Sequence, residues 1–270
     1  DGTGFAATVG AGFTGGIFFL TDDFAAPTAP QPIPTSGIIE NCVVSNVQTK
    51  LAAALPSNLR LDYDDADGIR FYGDPAGARY LYVNINNLYC TKVSKRAVKV
   101  SICRGVNLDN ITCDARGLPY FPVTAVKLES GTTARNIRCI SDGPTAPYYA
   151  AVEINGGENV TLDGLEVEDC TYAIQLDVVN STVLKNVFIR NVRASGIVQG
   201  GLYQVFEAGI GAHDQLVVES SLFSCSGNTA FALYVPGASG GQGGFIGRNL
   251  TVINGEINIQ GYGNELDGLK

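Results

Sequence analysis

Four stretches of this chain repeat one phrase: Ala97-Val98-Lys99-Val100, Ala125-Val126-Lys127-Leu128, Ala151-Val152-Glu153-Ile154 and Ala173-Ile174-Gln175-Leu176. Weaker echoes follow at Gly196-Ile197-Val198-Gln199, Ala232-Leu233-Tyr234-Val235 and Glu256-Ile257-Asn258-Ile259. A second phrase, an Asn that opens an apolar alternation, recurs between them. It stands at Asn87-Leu88-Tyr89-Cys90, Asn110-Ile111-Thr112-Cys113 and Asn136-Ile137-Arg138-Cys139, and continues at Asn186 and Asn249. The period is roughly 22–28 residues, within the range that marks a repeat architecture. Each unit holds two or three short strands with period-2 alternation, separated by Gly, Asn, Asp or Ser corners.

Other repeat architectures do not fit. Beyond about residue 55 no stretch keeps a 3.6-residue stripe over ten or twelve positions, which excludes helical solenoids. A propeller blade needs about 40–50 residues, nearly twice this period. Short strands, a compact coil and corners of variable length describe an all-β chain wound as a right-handed, single-stranded parallel β-helix. The chain resembles the pectin-lyase-like group of such helices, which includes pectate lyases, polysaccharide hydrolases and bacteriophage tailspikes. The resemblance covers about residues 37–265, about eight coils, with residues 1–36 read as an N-terminal strap or linker and 37–270 as the β-helix domain. It identifies a fold rather than an activity.

Composition agrees with a packed domain. Of 270 residues, 45% are hydrophobic and 16% charged, the latter well under the roughly 25% of ordinary globular chains, which argues against disorder. No apolar run approaches the roughly 18 residues of a membrane span, so a soluble protein is expected. Eighteen basic against 26 acidic residues, a net charge of −8, disfavour a nucleic-acid partner. The chain opens at Asp1 and contains no Met, which reads as a processed product or an excerpt, and the first residues lack the pattern of a signal peptide.

Seven cysteines cannot all pair, and they form no CxxC motif, so neither a complete disulfide framework nor a zinc site is expected. Cys90, Cys113, Cys139 and Cys170 end strands just before a corner, and Cys42 and Cys225 are candidates for the same place. Stacked coils bring equivalent residues to about 4.8 Å. An internal ladder of reduced thiols follows, because free Cys packs as a small apolar residue. The repeated Asn reads likewise as a corner residue. One helix-like stretch, Lys50–Leu55, and the Pro-rich segment between Thr21 and Ser36 stand outside the repeat.

Chemistry must then sit in outward columns. Alternation turns Val126, Val152 and Ile174 inward and leaves Lys99, Lys127, Glu153 and Gln175 in one outward column, with Ser101, Glu129, Asn155 and Asp177 beside it. Glu129, Glu153 and Asp177 lie on three successive coils. Side-chain reach can bring a pair of them into the roughly 6.5–9.5 Å separation of inverting glycoside hydrolysis, one acid protonating the glycosidic oxygen and one carboxylate activating water. The competing reading is that these residues merely solvate a strand face. Tyr120-Phe121, Tyr148-Tyr149 and Tyr172 enter the same three coils. Their rings either flank a sugar-binding groove or pack on the coil edge. Asp114 and Asp142 read as corner caps or as groove carboxylates. Asp62, Asp64, Asp65 and Asp67 lack the spacing of a calcium loop, and His213-Asp214 has no nucleophile beside it, so no metal and no cofactor are expected.

The resemblance implies a tailspike-type protein that binds bacterial surface polysaccharide, either with or without hydrolysing it. The outward columns give Glu153, Asp177 and Glu129 as the candidate catalytic carboxylates, and Tyr120, Tyr148, Tyr149, Tyr172, Lys127 and Asp142 as the candidate substrate-binding set. By the same resemblance the protein is a homotrimer joined to other phage tail proteins and assembled in a host cytoplasm. A secreted lyase or hydrolase of pectate-lyase type, and a purely adhesive β-helix without catalysis, are the alternatives.

Overall fold

A computed structural model describes residues 13–20, 35–47, 65–72, 79–101, 103–118, 123–178, 184–206, 213–236, 244–260 and 263–270. Among these every regular element is a strand, and every strand pairing is parallel. The strands form one continuous sheet in which each pairs with the strand one coil ahead. That is a parallel β-helix, as the repeat requires.

One coil shows the construction. Cys103–Asp114 runs along a first face and bends at Asn110 onto a second. After a corner the chain returns on a third face as Thr124–Leu128. Later coils are so regular that Gly157–Val178 and Leu184–Phe206 each pass through all three faces as one unbroken strand. The bend has a clear local cause. Asn41, Asn87, Asn110, Asn136, Asn191 and Asn249 have φ between 52° and 58°, the left-handed region that Asn tolerates better than other side chains. Gly164, Ser220 and Gly268 take the same place on their coils. The amides also bond along the stack: Asn87 donates to Asn41 at 3.0 Å, Asn110 to Asn87 at 2.6 Å and Asn136 to Asp109 at 2.9 Å. Asn186 belongs to a different corner, where it donates to Asn159 at 3.0 Å.

The third face carries the repeated phrase in register. Ile69, Val98, Val126, Val152, Ile174, Leu202 and Leu233 form one inward column, all fully buried. Each such side chain contributes about 1.5–3 kcal/mol on leaving water, an upper estimate because the unfolded chain is itself partly collapsed. Among the described residues this face has nine rungs, from Phe13–Leu20 to Glu256–Ile259, one more than the eight expected coils. The first rung lies inside the stretch read as a strap, while residues 21–34 lie outside the described residues, as does Lys50–Leu55.

Two expectations shift in register. The partner of Ala173-Ile174-Gln175-Leu176 is Gly201-Leu202-Tyr203-Gln204, not Gly196-Ile197-Val198-Gln199. The thiol ladder is also shorter than expected. Cys90, Cys113 and Cys139 stack directly, but their column continues from Val44 into Val167, Ala194 and Phe223. Cys170 instead follows Tyr148 in a second column with Ile197 and Cys225, and Cys42 pairs with Leu88. All seven cysteines are free thiols, and burial pushes Cys170 well above the ordinary thiol range. Phe223 is fully buried within the first of these columns.

Candidate active site on the third face

The outward positions of the third face form two parallel columns. One runs Arg70, Lys99, Lys127, Glu153, Gln175, Tyr203, Tyr234 and Asn258. The other holds Asp177 directly against Asn155, with Glu129 following Leu128 at the equivalent place one rung earlier. Glu129 and Asp177 are therefore two rungs apart, about 10 Å along the backbone, and Glu153 lies diagonally between them.

These positions are outward by alternation, yet much of the strip is buried. Arg70, Lys99, Lys127 and Glu153 are all 8% exposed or less, and Arg96, at the start of its strand two residues before inward Val98, is 9% exposed. The charges are paired. Glu153 Oε1 lies 3.1 Å from Lys127 Nζ, and its Oε2 lies 3.6 Å from the Arg96 guanidinium. Lys127 also approaches Glu129 at 3.9 Å, and Arg70 donates to fully buried Asp67 at 3.3 Å. Burial is the largest influence on the Glu153 carboxyl and pushes its pKa up. The combined fields of Arg96, Lys127 and Lys99, with the Lys127 hydrogen bond, outweigh it and hold the group below the usual carboxylate range. Glu153 is thus kept ionised, and Lys127 is its counter-ion.

Beyond Glu153 the strip becomes aromatic. Tyr149 meets Tyr172 edge-on, ring centroids 5.3 Å apart and planes at 76°. Tyr172 meets Tyr203 at 4.9 Å, and Tyr203 stacks on Tyr234 at 4.7 Å with planes only 20° apart. Phe231 closes the run against Tyr234 at 4.8 Å. A glycine makes the middle of the run possible: a β-carbon on Gly200 would stand 2.6 Å from Tyr203 and 3.0 Å from Tyr172. At the stacked end each ring covers its neighbour's face. At the Tyr149 end the rings turn, and there Tyr149 feels both Glu153 and Asp177. Burial first, and then those two carboxylates, push its hydroxyl up, while burial pushes Tyr172 up to about 12. Tyr172 donates to Gln199, which is exposed.

The remaining sequence candidates lie elsewhere. Tyr148 turns inward, 4% exposed, and donates to the Cys113 carbonyl at 3.1 Å; Tyr149 is the outward ring of that pair. Tyr120 lies outside the described residues. Asp142 sits at the preceding corner, accepting the Gly117 N–H at 2.7 Å. Asp114 is not its equivalent, since Asp114 pairs with Ile140. Asp114 caps its own turn, accepting from Arg116 and from the Tyr89 hydroxyl at 2.6 Å, and the Arg116 bond chiefly holds it down at about 2. Among the described residues no group of His, Cys, Asp and Glu is placed to hold a metal.

Sequence reasoning missed Tyr203, Phe231, Arg96 and Gln199, and did not use Tyr234. Tyr203 and Tyr234 occupy the third position of the repeated phrase, the position of Lys127, Glu153 and Gln175, so that position was the available signal. Tyr203 was hidden because the echo of the repeated phrase was placed at Gly196-Ile197-Val198-Gln199, whereas the strand runs on to Phe206.

No protein-family model matches this chain, and no curated protein does. Solved structures similar to it include two catalytic domains of a GH87 α-1,3-glucanase, one a complex with nigerose and the other with tetrasaccharides. Each is 12% identical over 76% of this chain and 54% of theirs, with TM-scores of 0.38 and 0.29. The chain spans about half the length of those domains.

Proposed function

We propose that the protein binds a polysaccharide along its third face and hydrolyses it there, as a tailspike-type protein acting on bacterial surface glycan. The observation that carries this reading is the run Tyr149, Tyr172, Tyr203, Tyr234 and Phe231, within which Tyr203 and Tyr234 continue the column of Lys127, Glu153 and Gln175 along the solenoid. Aromatic rings offer apolar surface to sugar C–H groups, while Gln175, Gln199 and Asp177 offer partners to hydroxyls. In the hydrolytic step Glu153, kept ionised by Lys127 and Arg96, and Asp177, one rung on, are the residues of the acid/base pair, with one group activating water and one protonating the leaving oxygen. Glu129 supports Lys127. Trimeric assembly and attachment to other tail proteins belong to the same reading. The exposed side chains of Ile38, Val43, Tyr82 and Phe188 supply apolar surface for contacts between copies.

The test is direct. The parent should bind and shorten a surface polysaccharide, and Tyr149→Ala should lose binding. Asp177→Asn should bind normally but lose cleavage by about 10²–10⁴, the range for a missing acid or base. Sedimentation should show a trimer. Unchanged cleavage by Asp177→Asn defeats the catalytic assignment, and binding unaffected by Tyr149→Ala defeats the site.

A further inference from the structure

The third face sorts glycans by charge. We infer that its seat accepts an uncharged polysaccharide and rejects one bearing carboxylates or phosphates; this rests on the polysaccharide reading above. The accessible charge beside the aromatic run is negative. Asp177 is half-buried next to the Tyr149 end, and exposed Glu256 pairs in register with Phe231 at the other end. The cations of this face do not reach the surface: Arg70, Lys95, Arg96, Lys99 and Lys127 are all 9% exposed or less. Two of them, Lys127 and Arg96, are engaged with Glu153. An anionic sugar brought to the rings would meet Asp177 and Glu256 and would find none of these cations within reach. Its carboxylate would also lose water at a half-buried surface without a compensating charge.

A neutral sugar meets the opposite situation. Its hydroxyls donate to Asp177 and to the side-chain oxygens of Gln175 and Gln199, and accept from the Tyr149, Tyr203 and Tyr234 hydroxyls. Glu153 stays bound to its cations throughout, so the ligand does not have to displace them. The net charge of −8 acts in the same direction at long range.

A panel of purified bacterial and plant polysaccharides, half neutral and half rich in uronic acid or phosphate, tests this by calorimetry at low and at physiological salt. The expected result is binding to neutral members only, with affinity nearly independent of salt and at least about tenfold tighter than any anionic member. Glu256→Lys should narrow that gap at low salt while leaving neutral binding intact. Preferential binding of an anionic member, weakened by salt, overturns the charge inference but leaves the polysaccharide reading standing. Absence of binding to every member overturns that reading and the inference with it. A neutral hit that survives Tyr149→Ala places the seat elsewhere and also overturns the inference.

Discussion

Replacing Glu153 by Gln should weaken the fold before it says anything about catalysis. Glu153 is 8% exposed, with an ammonium at 3.1 Å and a guanidinium at 3.6 Å. At an effective dielectric of about 20 each contact carries roughly 5 kcal/mol of gross attraction, most of which offsets the desolvation of the three groups. Removing only the anion leaves Lys127 and Arg96 buried without it, and breaking a buried pair in this way costs about 3–5 kcal/mol. Gln keeps an oxygen that accepts from Lys127, so the lower end, about 3 kcal/mol, is expected. Urea titrations followed by amide hydrogen exchange of Tyr148–Asn155 are the assay, because a solenoid opens coil by coil. The double variant Lys127→Met/Glu153→Leu should cost less than its two single variants together, by about 1–3 kcal/mol of coupling. The pH dependence has a definite sign. The folded-state carboxyl is held below its ordinary 4.5, so its contribution is present above that value and is lost as pH falls through the folded value. A Glu153→Gln protein within about 0.5 kcal/mol of the parent, or a strictly additive double variant, would refute the reasoning.

Three further outcomes follow from particular residues. Gln204 stands in an inward column after Leu176, fully buried, and neither of its amide atoms has a hydrogen-bond partner among the described residues. Gln204→Leu should therefore raise stability by about 1–2 kcal/mol in the same urea titration. Asn136→Ala should cost about 1–2 kcal/mol for the left-handed backbone at φ 53° and about 1 more for the lost bond to Asp109. Asn136→Gly should recover the first part only. The Asp114 carboxyl, held at about 2 against an ordinary 3.8, stabilises the fold above about pH 4 and loses that effect as pH falls towards 2. Acid titration followed by circular dichroism should show Asp114→Asn flattening that window.

The inward columns were legible in the sequence because their cause is local. Period-2 alternation decides which of Ala-Val-Lys-Leu faces inward, and Asn at the corner takes a backbone conformation that most other residues resist. Those signals survive in a single coil and simply repeat. Matching one coil to the next is different, because corner lengths vary and only the ladder of hydrogen bonds counts across them. Hence Tyr203 took the place expected for Val198, and Cys170 fell three residues out of the thiol column. The outward strip shows the same division. Alternation placed Lys127, Glu153 and Asp177 on one side of the strand, as the register bears out. It said nothing about solvent on that side, since exposure depends on residues distant in sequence. Only the tertiary structure buried Glu153 between Lys127 and Arg96 and brought five rings from four coils into one run. In this chain, sequence determines which side of a strand a residue occupies, and packing between coils determines what it meets there.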